Sequence, residues 1–514
     1  MKKYQKQFML FSITLSLSFL LSISLVFAVT EKPDIVFLPE LPKKKQEAFK
    51  KIFFKNGNFQ NGEKLSSTSI CDPFEMEVTM EEVDNLKDYC QSTKVVEVPT
   101  VAFHKSAVNM DLIPDFPSDL YNYLVRPSGK GHNVLFPVHP LNTSEKVAGQ
   151  KRLTKRYQMG KPVMTMPMRH LASRSKVCVP KEIVPFGVKL GTNHVSEDNY
   201  NPKKAEMKLD GEYGRARTNY MEKVDTLIGK EKDCQFLKEL GYISLQKTGE
   251  GYLIRDLTPL QDGNIYLPLL SIPFVGRELA KYKKEDFKEF WSKAFAEAMG
   301  RCKAMHLLRY GFQMITPNAQ NMLLRFDTDL NPKEIIYRDN SDTLFVNLVA
   351  DVISPIIDTN LGVLEGGYTK DKKWGNHIDH VVHPYSSTTT LFMDEGSKKV
   401  RISDDVMDEW NKRQIVAYLD TINKELGVNI VPYKSENNPA VKEYITTYKK
   451  TNRGRERETP DSGDLLYASA IQNFLESDIG KQKVEEYYKN LIEKHKKQGK
   501  EKEKRKGVKR KYGI

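Results

Sequence analysis

One stretch limits the architectures open to this chain more than any other: residues 309–346, where a helix stops, a polar segment follows and two strand-like runs come in succession. The helix leading into it is the clearest in the sequence. Phe287, Phe290, Trp291, Phe295, Met299 and Cys302 recur at spacings of three and four, and Gly311 supplies the stop. That stripe reads as a core face, not a cofactor box. Thr316-Pro317-Asn318-Ala319-Gln320-Asn321 comes next, then the apolar run Met322-Leu323-Leu324-Arg325-Phe326. A polar turn with Asp327, Asp329, Asn331 and Pro332 separates it from Ile335-Ile336-Tyr337, which delivers Arg338-Asp339 at its end. In an antiparallel pair, the amide-bearing entrance of the first strand and the charged exit of the second lie side by side. Convergent polar groups at strand ends mark binding or chemistry; the bland alternative is a hairpin whose Asn and Gln satisfy turn backbone.

At 514 residues the chain is long enough for two or three domains, or one large one with insertions. With 39% hydrophobic and 10% aromatic residues, most of it should fold. The formal charge of +13 suggests nucleic acid only until it is located. Much of the excess sits between Lys494 and Lys511, with Lys2, Lys3 and Lys6 at the front, so the middle is only mildly basic. This favours a solvated basic tail, and no nucleic-acid partner is expected.

Lys2, Lys3 and Lys6 precede an apolar and Ser/Thr run over residues 8–29, and Val26-Phe27-Ala28 places small residues where a signal peptidase reads. The run is either a cleaved signal peptide or an uncleaved amino-terminal membrane anchor. In both cases the chain is expected to be exported (periplasmic or secreted) or membrane-associated through residues 8–29, outside the compartment that holds ATP. Five cysteines remain: Cys71, Cys90, Cys178, Cys234 and Cys302. Cys71 and Cys90 flank a short acidic segment and could close a local disulfide. The odd count leaves at least one thiol over, no CxxC pair suggests zinc or redox chemistry, and Cys302 on its helix face reads as a small buried hydrophobe.

In chain order, residues 29–94 form an amino-terminal extension, with helices expected over 43–54 and 71–91. Residues 95–280 form a β-rich domain, 281–480 a helix-rich one, and 481–514 a basic helical tail. Val134-Leu135-Phe136-Pro137-Val138-His139-Pro140 reads as a strand ending in a shaped turn. Met164-Thr165-Met166-Pro167-Met168-Arg169-His170 is a second strand, and neighbouring side chains on a strand face opposite ways, so only one of Arg169 and His170 can enter a given cleft. An arginine within an apolar run needs an acidic partner or ligand. Lys189 interrupts Phe186-Gly187-Val188-Lys189-Leu190 in the same way, unless that strand is an edge with an outward lysine. Residues 241–256 read as another hairpin. His377, Asp379, His380 and His383 have metal-ligand character, but Pro384 and Gly366-Gly367 suggest a loop instead. Helices are expected over 404–426, capped by Ser403 and Gly427, over 463–476, and over 481–505, the last charged nearly all round and projecting into solvent.

The ordered set of motifs resembles the siderophore synthetases of the aerobactin-synthetase type. Phe136-Pro137-Val138-His139-Pro140 looks like the family's His-Pro strand end, and Pro167-Met168-Arg169-His170 stands where a Ser-x-Arg-Thr element occurs. Lys189 is similar to the strand lysine that follows. Asn318-Ala319-Gln320-Asn321 stands in the place of a His-Gly-Gln-Asn element, and Arg338-Asp339 in that of an Arg-Asp strand end. Pro167 and His170 replace the family's Ser and Thr, Asn318 replaces its His, and a further arginine has no clear counterpart among residues 193–204.

The resemblance implies an α+β fold, with antiparallel sheets and a helical carboxy-terminal subdomain. It implies an ATP- and Mg-dependent ligase that adenylates a carboxylate of the citrate type and passes the acyl group to an amine. In that scheme Arg169 and Lys189 neutralise phosphate charge in the transition state, and Asn318 stands at the catalytic histidine's place. Gln320, Asn321 and Arg338 orient nucleotide or carboxylate oxygens, His139 and His170 contact substrate, and Asp339 holds Mg²⁺. A homodimer is a further expectation. The alternative function is an exported, non-catalytic protein that binds a polycarboxylate, metal complex or protein partner in the same cleft.

Overall fold

The computed structural model describes residues 95–129, 131–137, 164–170, 175–178, 186–190, 206–246, 251–260, 262, 264–269, 272–314, 322–340, 343–357, 402–451 and 462–512. The first sheet contains β1 (Val95–His104), β2 (Val108–Leu112), β3 (Val125–Ser128), β4 (Gly131–Pro137), β5 (Met164–His170), β6 (Ser175–Cys178), β7 (Phe186–Leu190), β9 (Glu239–Leu245) and β10 (Gly251–Asp256). These nine strands run in the order β2-β9-β10-β7-β6-β5-β1-β4-β3, every neighbour antiparallel. β7 therefore lies inside the sheet, not at its edge.

The middle of this sheet is covered on both faces, so its strands are buried throughout rather than alternating between wet and dry: all five residues of β7 and all seven of β9 are buried. The two faces differ in character. Val188, Leu190, Ile243, Leu245, Tyr252 and Ile254 join the apolar cluster beneath helix α1 (Ser118–Leu124). The opposite face carries Lys189, Glu239, Tyr242, Leu253 and Arg255, and helix α2 (Glu206–Ile228) lies across its β9 end. Gly214 permits that approach, because a Cβ there would overlap the Glu239 carboxylate.

A second sheet, β11-β13-β14-β8, is built from β8 (Cys234–Phe236), β11 (Ile265–Pro268), β13 (Met322–Phe326) and β14 (Pro332–Tyr337), and only its β14–β8 pair is parallel. The β13–β14 hairpin has the expected form, with Met322 opposite Tyr337 and Leu324 opposite Ile335. Helix α3 (Ile272–Lys283) packs nearby. A third, two-stranded sheet pairs β12 (Phe312–Met314) with β15 (Thr343–Phe345).

The long helix α4 comprises Phe287–Trp291, a π-helical stretch Ser292–Glu297 and Ala298–Tyr310. Asp286 caps it by accepting from the amides of Lys288 and Glu289 at 2.9 and 3.1 Å. Gly311 ends it at φ 65°, a left-handed conformation suited to glycine. Its expected apolar stripe is core: Trp291, Phe295 and Met299 are fully buried with strands β13 and β14. α5 (Asn347–Ile357), α6 (Asp404–Leu426), α7 (Pro439–Thr451), α8 (Ser462–Glu476) and α9 (Asp478–Tyr512) complete the described chain, giving an α+β fold of antiparallel sheets with a helical carboxy-terminal region.

Two expectations need correction. α9 does not project freely along its whole length, because Val484, Tyr487 and Tyr488 are buried in the helical core and give its first turns an apolar side. Cys302 is buried but is not a lone thiol: it forms a disulfide with Cys234, Cα to Cα 5.3 Å, tying α4 to β8. Among the described residues, no helix is long and apolar enough to cross a membrane. The apolar run 8–29, the helices expected before residue 95, the Cys71–Cys90 pair and the histidines between 377 and 383 lie outside the described residues.

The chain passes between the two large sheets within two residues. Leu237, following β8, donates its amide to Tyr337 O at 2.7 Å in the second sheet, and Lys238 O accepts from the Asp256 amide at 2.9 Å in the first.

Candidate functional site

The charged face of the first sheet meets the exit of β14. Lys189 Nζ donates to Asp339 Oδ2 at 2.7 Å, and Arg255 NH2 stands 3.0 Å from Asp339 Oδ1. Arg255 also reaches Glu239 Oε1 through NH2 at 3.2 Å and Nε at 3.3 Å. All four side chains are buried: Lys189 is 8% exposed, Asp339 5%, Arg255 3% and Glu239 0%. Two cations and two carboxylates are thus removed from water together, a grouping tolerated only when every charge has a partner.

Local backbone explains how Asp339 gets there. It has φ 83°, a left-handed conformation that non-glycine residues adopt at a cost of order 1–3 kcal/mol. The turn sends its carboxylate back toward β7 instead of onward along the strand. Asn340 secures the turn: its amide donates to Glu239 Oε1 at 3.2 Å, and its side chain donates to Thr218 Oγ1 at 3.0 Å and Leu237 O at 3.1 Å. Thr218 lies on α2, so the site joins that helix, the first sheet and the hairpin of the second.

The Glu239 carboxyl is pushed above the usual range, first by burial and then by the negative charge of Asp339, while Arg255 and Lys189 pull it the other way.

The residues expected at a site are distributed as follows. Lys189 and Asp339, read separately from the sequence, are in direct contact, and Arg338 is buried beside Asp339 in sequence. Arg169 and His170 lie in β5. Arg169 pairs in register with Val177, Val177 with Gly187, and Gly187 with Arg255, so one row of the sheet leads from Arg169 to the charged centre. His139, Asn318, Gln320 and Asn321 lie outside the described residues. Sequence reasoning missed Arg255, Glu239, Thr218 and Asn340. For Arg255 a signal existed: it interrupts Tyr252-Leu253-Ile254 just as Lys189 interrupts its own strand.

A second charged group lies on the other sheet, where Glu334 and Arg325 are register partners joined at 2.8 Å. Asp262 approaches the same guanidinium at 3.0 Å. Burial pushes the Glu334 carboxyl up to about 7.

Fold and site together define an α+β protein with a buried group of two cations and two carboxylates where an antiparallel sheet meets a mixed one. No protein-family model matches the sequence, and no curated protein matches it. Among solved structures, the chain is similar to the aerobactin synthetase IucC of a hypervirulent pathotype of Klebsiella pneumoniae at 10% identity, over 77% of this chain and 73% of that one, with a TM-score of 0.46. It is similar to the petrobactin biosynthesis protein AsbB of Bacillus anthracis at 12% identity, over 85% and 82% of the two chains, with a TM-score of 0.49. Likeness at this level assigns no activity.

Proposed function

We propose that this chain is an ATP-dependent carboxylate–amine ligase acting on a polycarboxylate of the citrate type, with the Lys189–Asp339–Arg255–Glu239 group as its anion-handling centre. One observation carries the reading. Lys189 and Asp339 belong to separate motifs of the resemblance, 150 positions apart, and they meet at 2.7 Å.

The donor set suits a polyanion. Lys189 and Arg255 supply ammonium and guanidinium donors side by side on the two oxygens of one carboxylate. When bound, ATP supplies the phosphorus at which a carboxylate is activated, and Asp339 is the residue for its metal ion. In the free protein Asp339 is held by Lys189 and Arg255. Both cations would exchange this carboxylate for ligand oxygens, so that Asp339 becomes available only as an anion arrives. Arg169, in the same sheet row as Arg255, belongs to the same anion-binding surface in this reading, with Gln320 and Asn321 completing it and His139 toward the substrate.

A second reading, an exported non-catalytic binder of a polycarboxylate, draws on two different observations: the apolar run 8–29, which would carry the chain away from ATP, and the two Asp339 oxygens, which already face cations. Thermal shift separates the two. A ligand confined to the native state stabilises it by about 2.7 kcal/mol at a hundredfold excess over Kd. Mg-ATP should raise Tm of the wild type and not of Lys189→Met. Stabilisation by citrate alone would favour the binder, and absence of any shift with either ligand would remove both readings.

A further inference from the structure

Where β8 meets α4 lies a cluster that the proposed reaction does not use. Among the described residues, Cys234, Cys302 and His306 form a group whose donor atoms all lie within 4.8 Å of one another, and all three side chains are buried. Cys302 and His306 are one turn apart on α4, so both leave the same helix face, and Cys234 comes from β8 opposite them. His306 Nε2 stands 2.7 Å from Cys234 Sγ and 3.8 Å from Cys302 Sγ. The ring is fixed by Phe236, stacked at 4.1 Å and 27°, and by Tyr337, edge-on at 4.7 Å. Burial, with the Arg309 charge adding to it, pushes His306 down to about 3, so at neutral pH the imidazole is an uncharged donor. In this structure the two sulfurs are joined as a disulfide.

We propose that in the reduced protein Cys234, Cys302 and His306 hold a thiophilic divalent metal ion of the zinc class. Two thiolates and a neutral imidazole balance a doubly charged ion, so the complex enters its apolar surroundings without net charge. A monovalent copper ion on the same ligands would leave a negative charge among Phe236, Tyr337 and Met299. Two cysteines and a histidine are a known zinc ligand set. The ion and the disulfide need the same sulfurs, so each excludes the other. Loading follows two-electron, two-proton reduction of the disulfide by an added phosphine, after which both thiol protons pass to solvent as the ion binds. None of this depends on the ligase reading.

The test uses the full chain, unfolded in guanidinium with a phosphine reductant and refolded without oxygen, with and without one equivalent of Co²⁺ or Zn²⁺. The expected result is one ion retained per chain after desalting, a thiolate-to-cobalt charge-transfer band, and a higher Tm than the metal-free reduced chain. Oxidised wild type keeps the fold but has the Cys234 and Cys302 sulfurs joined to each other, so it must retain none at this site. Cys302→Ser should lose the band, and His306→Gln should weaken retention at least tenfold if Cys302→Ser does not fold. A reduced chain that regains the circular dichroism of the oxidised one yet retains no Co²⁺, or retains it without a thiolate band, overturns the proposal. So does equal retention by the oxidised protein, or a reduced chain that refolds neither with metal nor without it.

Discussion

Lys189 and Asp339 are 150 positions apart and share a 2.7 Å hydrogen bond in a region closed to solvent, while Arg255 takes the other oxygen of the same carboxylate. One acidic side chain therefore holds an interior strand of the first sheet against the hairpin of the second.

Asp339→Asn should destabilise the protein by about 3–5 kcal/mol, because Lys189 and Arg255 would be left buried against a neutral amide. Lys189→Met in the same background should cost less than it does alone. Guanidinium unfolding of the two single variants and the double variant measures the coupling, and additive losses would mean that the pair does not act as a unit.

Gly214→Ala places a methyl group on the Glu239 carboxylate, so α2 must shift away from the sheet. A loss of about 1–3 kcal/mol is expected for this overpacking. Denaturant midpoints for Gly214→Ala beside an alanine substitution at an exposed position of α2 provide the comparison.

Glu334 gives a pH dependence of definite sign. Its carboxyl is pushed from 4.5 up to about 7 by burial, so between those values the native state binds more protons than the unfolded chain. Stability from this group is complete below about pH 4.5 and declines as pH rises through about 7. Glu334→Gln should flatten that part of the stability profile, and an unchanged slope would show that another group produces it.

Reducing the Cys234–Cys302 disulfide releases a loop of sequence separation 68, which by chain entropy is worth about 4 kcal/mol. Unfolding with and without a phosphine, in the presence of a chelator to exclude metal, tests this. Cys234→Ala/Cys302→Ala should reproduce the reduced value.

Much of the fold could be read from the sequence because local rules and tertiary packing agreed. The α4 stripe, the β13–β14 hairpin and the apolar runs of β4, β5 and β7 each carried a period or a turn signal strong enough to stand alone. The site was half legible. Lys189 stands out as a cation interrupting an apolar strand, and Asp339 as a carboxylate at a strand exit. Arg255 broke pattern equally but sat in a hairpin read as scaffold, and Glu239 opens its strand with nothing in the local text to mark it. Nor does any sequence pattern specify that β8 runs parallel to β14, or that Cys234 thereby reaches Cys302. Those contacts depend on which strands become neighbours, and periodicity does not encode that.

The two-residue passage from Leu237 to Lys238 couples the two large sheets closely. Any swing of one sheet away from the other would have to be absorbed at Leu237 and Lys238 themselves, between the Leu237–Tyr337 and Asp256–Lys238 bonds, since no slack chain lies there. In the proposed ligase, a ligand reaches the buried centre by cations changing partners while this junction holds.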